Sequence, residues 1–496
     1  MTKKKSFIFF LICILLGVFN NNIMAQSEKK HNILFICVDD LRPELGSYGK
    51  DYIKSPNIDQ LAKEGFLFRK HYVVVPTCGA SRHSLLTGRL PNSKSDLSNS
   101  ASVHALTDKH ETDVPETFIH HLRRNGYHTV GLGKISHHPD GRVYGYLDPV
   151  SNKMELPHSW DEFIFDYGKW GTGHNAFFGY ADGTNRNTLN RQVKPYEAAD
   201  VPDEGYPDGI MASVAINKLK QLKENDKPFF MAVGFFKPHL PFNAPKKYWD
   251  LYDRDSIPLT PNAFLPENIN KSSLQNMGEF NNYKLGEEKA SLDEPLSEAY
   301  SKKLSHGYAA CVSYIDAQIG KLLDGLEELG LDENTVVVIW GDHGWHLGDH
   351  LVWGKHTLLE RALHSTLIMK VPGKEYVGET DKIVSTLDIY PTLMELCQLE
   401  MPYETKGRSL VRILEKPERN DWKEAAYSYF RSGISVRTPR YRYTRYYREV
   451  LPNVELFDHE TDPFETVNVA KENMPIAEKL LPIWQEGNTG LFSAEE

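Results

Sequence analysis

One cysteine and a nearby arginine are the first residues whose types and spacing suggest chemistry. Cys78 begins the segment CGASRHSLLTGR, where we expect a helix, and Arg82 lies four positions later on the same side of that helix. Backbone N–H groups at a helix start, beside a guanidinium, can bind a tetrahedral oxyanion. A buried structural cysteine with a surface arginine would give the same two residues, so these two alone leave both interpretations open.

Polar, reactive residues also follow four apolar runs. The runs at residues 33–38, 129–132, 229–236 and 335–340 show no alternation, which is typical of strands buried on both faces of a parallel sheet. In such sheets ligands bind beyond the carboxyl ends of the strands. The sequence therefore predicts an active site at that edge, formed by the residues that follow the runs: Asp39, Asp40, Lys134, His137, His239, Asp342 and His343.

The longer segment around Cys78 resembles the signature of the type I (formylglycine-dependent) sulfatases. Cys78, Ala80 and Arg82 match its Cys-x-Pro/Ala-x-Arg part, and the LTGR sequence at residues 86–89 matches the extension. In that family a formylglycine-generating maturation enzyme oxidises the cysteine to formylglycine (3-oxoalanine). The resemblance covers about residues 30–470 and is nearest to the iduronate-2-sulfatase-like branch.

The resemblance also implies a metal site. Adjacent carboxylates in one cleft repel each other unless a cation lies between them, and oxygen ligands favour Ca²⁺, with Mg²⁺ as the alternative. Most family members have asparagine where this chain has His343, and histidine there is typical of the iduronate-2-sulfatase-like branch. The implied ligands are Asp39, Asp40, Cys78, Asp342 and His343.

Three cationic side chains match family residues that neutralise the sulfate: Arg82, Lys134 and Lys355. The implied nucleophile is one hydroxyl of the hydrated formylglycine at position 78, whose second hydroxyl later allows the sulfate to be expelled. Trp345, beside the metal segment, either contributes to the sugar-binding site or packs beneath its loop, and the sequence leaves both open.

Two histidines match family residues that move protons. His239 would protonate the departing sugar oxygen and, with Lys134 and Lys355, contact the substrate. His137 would remove a proton from the second hydroxyl of the nucleophile, and its neighbour His138 is a rival for that role.

Helical segments alternate with the predicted strands. Residues 56–64 start with a proline and are followed by Gly65, and residues 115–125, 211–224 and 314–329 are also predicted helices. This alternation predicts an α/β fold, and the resemblance implies an alkaline-phosphatase-like core with a mostly parallel sheet between helices. We assign this catalytic domain to residues 30–375. A smaller C-terminal α+β subdomain with antiparallel strands is expected at residues 376–496, with a helix at 388–399.

Two segments remain ambiguous. Residues 253–298 are polar and weakly periodic, and form either a lid or rim over the site or a surface insertion. The segment RTPRYRYTRYYRE is either a strand with one packed and one solvated face, which we favour, or a surface that binds a polyanion. In the second case the binding residues would be Arg437, Arg440, Arg442, Arg445 and Arg448.

Composition limits the class and location of the protein. The 496 residues carry 57 Lys plus Arg against 67 Asp plus Glu, so no basic excess favours nucleic-acid binding. Lysines at positions 3–5, an apolar run at 7–19 and a small residue at 25 predict a signal peptide over residues 1–25, with a short membrane anchor as the alternative. The mature chain would then be periplasmic or secreted, without a membrane span.

The sequence predicts an exported sulfatase acting on a sulfated oligosaccharide or polysaccharide. The closest branch suggests a 2-O-sulfated uronic acid of a glycosaminoglycan or of an algal polymer such as ulvan. One alternative is a phosphomonoesterase or phosphonate hydrolase of the alkaline phosphatase superfamily, which normally uses Ser or Thr where Cys78 lies. The other is a non-catalytic protein that binds sulfated glycans.

Overall fold

The computed structural model describes residues 30–225, 227–275 and 277–492, so the predicted signal peptide lies outside the described residues. The strands are β1 (Asn32–Val38), β2 (Phe66–Tyr72), β3 (His128–Gly133), β4 (Glu162–Ile164), β5 (Tyr196–Ala199), β6 (Phe229–Phe235), β7 (Phe242–Pro245), β8 (Thr335–Gly341), β9 (His346–Leu347), β10 (Trp353–Gly354), β11 (His364–Ser365), β12 (Leu367–Lys370), β13 (Gly378–Ser385), β14 (Ala426–Phe430), β15 (Gly433–Arg437), β16 (Tyr441–Tyr446) and β17 (Val454–Asp458). The helices are α1 (Pro56–Glu64), α2 (Cys78–Thr87), α3 (Ala101–Ala105), α4 (Phe118–Arg124), α5 (Gly173–Phe177), α6 (Pro207–Lys223), α7 (Lys246–Trp249), α8 (Gly278–Asn281), α9 (Glu298–Glu328), α10 (Glu360–Leu363), α11 (Ile389–Leu396), α12 (Val411–Glu415) and α13 (Met474–Gly487).

A nine-stranded, mostly parallel sheet forms the centre of the fold. Its strand order is β11-β2-β12-β8-β1-β6-β3-β4, and β13 also pairs with β2. The five strands from β8 to β4 are parallel, whereas β11 and β12 run antiparallel to β2. The four strands predicted from apolar runs form within one residue of their predicted ends. The expected α/β class with a mostly parallel sheet is confirmed.

Strand β1 explains why the predicted strands lack alternation. Leu34 and Ile36 point into a core shared with helices α6 and α9, while Phe35 and Cys37 point into a second core shared with α2, α4 and α11. Every residue of β1 is buried. Because both faces are covered by helices, both faces need apolar side chains.

Helix α9 is much longer than its predicted segment. It has 31 residues and begins at Glu298, where Ser297 accepts a hydrogen bond from the Tyr300 N–H as the N-cap. Its first half packs against β7 and α7, and the glycine at 307 fits there because an added Cβ would lie 2.9 Å from the Trp249 ring. This tertiary packing explains the extension beyond the periodic segment.

The main sheet continues past the expected domain boundary. Strand β13, which begins at Gly378, pairs in parallel with β2, and α11 packs into the core on one face of the same sheet. A separate antiparallel sheet, β14-β15-β16-β17, begins only at Ala426 and packs against α13. The antiparallel C-terminal sheet is as expected, but the chain leaves the main sheet later than residue 375.

The Tyr/Arg segment is buried more completely than predicted. Arg442 in β16 is fully buried and pairs with Glu360 of α10 and with Glu465, and Arg437 also pairs with Glu360. The prediction that one face of this strand is solvated is therefore wrong at Arg442. These arginines join the C-terminal sheet to the main domain, which leaves them unavailable to a polymer.

The segment at residues 253–298 is attached both to the C-terminal sheet and to the chain that follows it. Glu267 forms a parallel bridge with Val467, and the Ser273 hydroxyl donates to Glu455 of β17. This attachment holds α8, which lies within the segment, against the main domain.

No helix within the described residues is long and apolar enough to cross a membrane. The described cysteines are all buried free thiols: Cys37, Cys78, Cys311 and Cys397.

Glu455→Gln should stabilise the protein in a pH-dependent way. Burial raises the pKa of Glu455 to about 7. The folded state therefore binds this proton more tightly than the unfolded state does, which stabilises the protein at low pH, and this stabilisation is lost as pH rises through 7. We expect the unfolding free energy of E455Q to match wild type near pH 4.5 and to exceed it by up to about 3 kcal/mol at pH 8. Urea unfolding at both pH values measures this, and the exposed Glu449→Gln should show no such divergence.

Candidate active site

Strand register brings the predicted site residues to one edge of the sheet. Val38 at the end of β1 lies opposite Phe235 of β6 and Gly341 of β8. The N–H of Asp39 donates to the Phe235 carbonyl at 3.2 Å, and the N–H of Asp342 donates to the Val38 carbonyl at 3.3 Å. The residues that follow neighbouring strands therefore converge at the carboxyl edge, as predicted.

Three carboxylates are buried together at this edge. Asp40 has a φ of 61°, in the left-handed region that aspartate tolerates better than most residues, so the chain turns sharply after β1. Its N–H donates to Asp342 Oδ1 at 3.0 Å. Asp39, Asp40 and Asp342 are all fully buried. This turn directs two successive carboxylates into the same cleft as the third.

Each carboxylate faces a buried cation. Lys134 Nζ lies 2.5 Å from Asp39, Arg82 Nε lies 2.9 Å from Asp342, and Lys355 Nζ lies 3.1 Å from Asp40. Burial alone would raise the pKa of Asp39, but Lys134 and other nearby cations lower it well below its usual range. The predicted sulfate-binding cations thus lie around the predicted metal ligands.

Cys78 is the first residue of α2 and lies within this cluster. Its Sγ is 3.2 Å from His343 Nε2 and 3.3 Å from Lys355 Nζ. Burial raises the pKa of the Cys78 thiol to about 12, so an unmodified cysteine would be protonated and weakly nucleophilic at neutral pH. Arg82 lies one turn further along the same helix and donates to the Lys134 carbonyl. Helix α2 therefore presents both residues to the site, as predicted.

The donor set fits a divalent cation. Asp39, Asp40, Cys78 and His343 each offer a ligand atom, and these four atoms lie within 4.8 Å of one another. Asp39 Oδ1 is buried and has no hydrogen-bond donor in the part of the chain that is described. Asp342 lies beside this set, and its oxygens contact Arg82 and the Asp40 N–H. Buried carboxylate oxygens with one imidazole suit a hard or borderline cation.

His239 follows β6 and has a fixed ring orientation. Its Nδ1 lies 2.6 Å from the Leu240 carbonyl, which can only accept, so Nδ1 carries a proton. Its Nε2 lies 2.9 Å from Glu279 Oε1 and faces the cavity. Burial and the nearby Lys355 lower the pKa of His239 to about 4, although Glu279 opposes them. Nε2 is therefore the atom placed for proton exchange with a ligand.

Glu279 is a site residue that the sequence reasoning missed. It lies in α8, on the ambiguous segment, and its carboxylate contacts both His239 and Lys355, the latter at 3.4 Å. A single glutamate in an aperiodic polar segment gives no signal before the chain is folded. Its position makes the segment at 253–298 a rim of the site rather than a detached surface insertion.

His137 and His138 occupy different positions. His137 lines the cavity, whereas the His138 ring packs edge-on against His174. The buried Glu155 accepts hydrogen bonds from the backbone N–H groups of both histidines and from Ser136 Oγ. Glu155 is thus a second missed residue, which holds the loop that presents His137.

Trp345 is not available to a substrate. Its side chain is fully buried, with its ring 6.4 Å from that of Phe242 and below Lys355 Nζ at 5.3 Å. The predicted substrate-binding role of Trp345 is therefore wrong, and the alternative of packing beneath the loop describes it. Trp345 therefore packs beneath Lys355 and supports that side chain; it does not contact the substrate.

A cavity of about 650 Å³ opens over the cluster. Cys78, Lys134, His137, His239 and Lys355 lie on its inner side. Its volume is within the usual range for small-ligand sites. The other walls come from residues that the sequence analysis did not predict for the site, and include Asn99, Tyr146, Phe178, Arg186, Glu279 and His356.

Several known proteins are similar to this chain over most of its length. A family model described as Sulfatase matches residues 31–399, and one described as N-sulphoglucosamine sulphohydrolase, C-terminal, matches residues 348–481. The chain is 31% identical over 424 residues to iduronate 2-sulfatase of Homo sapiens, which covers 79% of this chain and 73% of the human protein. It is 29% identical over 503 residues to a sulfatase of Formosa agariphila, covering 97% and 92% respectively. The structure of a phosphonate monoester hydrolase of Agrobacterium radiobacter has the same fold, with a TM-score of 0.71 at 22% identity, and covers 92% of this chain and 96% of its own.

Arg82→Met should destabilise the protein by about 3–5 kcal/mol, because Asp39 and Asp342 would lose a buried counter-charge. The free energy of unfolding in urea measures this. Arg69→Met removes an exposed ion pair with Glu379 and should cost less than about 1 kcal/mol. Equal losses in the two variants would contradict the view that Arg82 neutralises the cluster.

Proposed function

This chain belongs to the sulfatase family, in its iduronate-2-sulfatase-like branch, and is a sulfuric ester hydrolase; we propose that its substrate is a sulfated carbohydrate. The observation that carries the proposal is the position of Cys78. Its Sγ lies at the inner side of an open cavity, within 3.3 Å of Lys355 and one helical turn from Arg82. A sulfate ester entering this cavity would meet a nucleophile position surrounded by cations.

We propose that Cys78 is converted to formylglycine, whose hydrate supplies a hydroxyl nucleophile and a second hydroxyl that allows the sulfate to leave. Lys134 and Lys355, both buried at the inner side of the cavity, would neutralise sulfate oxygens, and such preorganised charge stabilises the transition state. Arg82 connects helix α2 to the other site residues, because its guanidinium donates hydrogen bonds to the Asp342 carboxylate and to the Lys134 carbonyl.

Two histidines are proposed to move the protons. His239 would donate a proton from Nε2 to the departing sugar oxygen; because Nδ1 already carries a proton, this step requires the imidazolium form, which the Glu279 carboxylate beside Nε2 favours. His137 lines the same cavity on the loop held by Glu155, and would accept a proton from the second hydroxyl of the hydrate as the sulfate is expelled. Because Nδ1 of His239 is fixed by the Leu240 carbonyl, the reacting nitrogen is determined by the backbone.

A divalent cation would be held by Asp39, Asp40, Asp342 and His343 beside position 78, with Ca²⁺ preferred and Mg²⁺ as the alternative. Such an ion would supply charge to polarise a sulfate oxygen and to lower the pKa of the attacking hydroxyl. Support comes from the buried Asp39 Oδ1, which lacks a hydrogen-bond donor among the described residues.

We further propose that the substrate is a 2-O-sulfated uronic acid within an oligosaccharide, from a glycosaminoglycan or an algal polymer such as ulvan. The similarity to iduronate 2-sulfatase supports the sugar and the sulfate position. The signal-like residues 1–25 support export to the periplasm or beyond, where such polymers are found. A formylglycine-generating enzyme would act on the chain before or during export.

Sulfate release from defined sulfated sugars tests the proposed reaction. Protein co-expressed with a formylglycine-generating enzyme should release sulfate from a 2-sulfated uronate, and mass spectrometry should detect formylglycine at position 78. Release from other sugars alone would keep the reaction and reject the uronate. Release of phosphate or phosphonate in preference to sulfate would instead favour the rival hydrolase.

Cys78→Ser should be inactive or trapped as a sulfated enzyme, because a serine hydroxyl can be sulfated but has no second hydroxyl with which to expel the group. A single-turnover assay followed by mass spectrometry distinguishes the two outcomes. Multiple turnover by this variant would overturn the proposed mechanism. Ser256→Ala, which removes an exposed hydroxyl outside the cavity, should behave as the parent protein.

Ca²⁺ should stabilise EDTA-treated protein against unfolding. At a hundredfold excess over the dissociation constant the expected gain is about 2–3 kcal/mol, because the ion binds the folded site. Asp40→Asn should lose most of this gain, whereas Asp381→Asn, at an exposed ion pair, should retain it. Thermal unfolding with and without Ca²⁺ measures both, and an equal gain in the two variants would place the ion elsewhere.

A further inference from the structure

Arg186 is a cavity residue that the proposed mechanism does not use. Its guanidinium carbon lies 3.4 Å from the ring centroid of Phe178 and 5.4 Å from that of Tyr283. No carboxylate among the described residues forms an ion pair with it, although it lines the cavity over Cys78. This sets it apart from Lys134 and Lys355, which both have buried carboxylate partners.

The backbone fixes Arg186 opposite Phe178. The two residues lie on facing arms of a tight turn, closed by a bridge between Gly179 and Asn185 and by the Arg186 N–H, which donates to the Phe178 carbonyl at 3.2 Å. Asn243 of β7 donates to the Gly179 carbonyl at 2.9 Å and anchors the turn to the main domain. The guanidinium is therefore held in place before any ligand binds.

The same phenylalanine connects Arg186 to the reacting groups. The ring centroid of Phe178 lies 6.1 Å from that of His239. One aromatic ring thus separates the guanidinium from the imidazole. A monosaccharide, or two adjacent sugar units, can reach both groups from a single bound position.

The chemistry of the guanidinium identifies its ligand class. Stacking covers the flat face of a guanidinium but leaves its edge accessible, and the planar N–H groups of that edge match the paired oxygens of a carboxylate or sulfate. Tyr146 and Leu147 line the same cavity and are 47% and 75% exposed, and the Tyr146 ring centroid lies 5.9 Å from that of Phe178, which provides an apolar surface for a sugar ring. An unpaired cation beside an apolar platform is suited to a sugar that bears an anionic group.

We propose that Arg186 binds a second oxyanion of the substrate, separate from the sulfate that is cleaved, and thereby selects sugars with two anionic groups. The second group is a carboxylate or a further sulfate, on the same sugar or on its neighbour. The inference rests on the proposed function, since it assumes that the cleaved sulfate lies at Cys78.

Binding measurements with Arg186→Gln test this without requiring turnover. In a Cys78→Ala background, calorimetry would measure the affinity for a uronic acid 2-sulfate, a glucosamine disulfate and a neutral hexose monosulfate. We expect R186Q to weaken at least one of the two dianionic ligands by roughly tenfold or more, and the neutral sugar by less than about twofold. The ligand that loses affinity identifies the second group as carboxylate or sulfate. Arg186→Lys should recover only part of the loss, because lysine offers a point charge without the planar fork.

Arg408→Gln is the matched control. Arg408 also stacks on an aromatic ring, 3.9 Å from the centroid of Trp422, but it lies outside the cavity, so its loss should leave all three affinities unchanged. Equal weakening of all three ligands by R186Q would show a merely structural role and overturn the proposal. Unchanged affinity for both dianionic ligands, or binding of none of the three by the parent variant, would also overturn it.

The two proposals fail in different ways. If the dianionic ligands bind through Arg186 but the protein with converted Cys78 releases no sulfate, the proposed reaction is wrong and the oxyanion subsite remains. If sulfate is released, KM for the preferred substrate should rise in R186Q by a larger factor than kcat falls. A fall in kcat alone would contradict a binding role for Arg186.

Discussion

The burial of three carboxylates in one cleft is the constraint on which the rest of the site depends. Asp39, Asp40 and Asp342 lie at the ends of adjacent strands with no exposure to water, and such a group is unstable unless cations neutralise it. Arg82 and two lysines meet this need in the structure, and a metal ion is proposed to share it. The same positive groups are suited to receive a sulfate, so charge balance and proposed chemistry use one set of residues.

The fold meets this constraint through elements that are distant in sequence. The parallel strands supply the carboxylates and His239, helix α2 supplies Cys78 with Arg82, and the loop after β10 supplies Lys355. The C-terminal sheet contributes indirectly, since it anchors the segment that carries Glu279 to the rim. Loss of a strand end, of α2 or of the loop after β10 would leave an unpaired buried charge in this cluster.

The inner and outer parts of the cavity differ in origin. The inner side is built from strand ends and α2, whereas the outer walls come from loops that carry Tyr146, Arg186 and Glu279. We propose that the inner part performs the hydrolysis and that the outer part selects the sugar. Loops can vary without disturbing the sheet, so substrate choice in such a fold can change while the reaction stays the same.

The sequence by itself determined the buried strands, the residues that follow them and the segment around Cys78, because apolar runs and a local motif depend only on neighbouring residues. It therefore predicted the α/β class and the convergence of the site. It could not place Glu155, Glu279 or Arg186, left the role of Trp345 open, and gave no sign that the main sheet includes β13. Those positions depend on contacts between residues far apart in the chain, and only the packed tertiary structure decides which lone polar side chain faces the cavity and which large ring is buried beneath it.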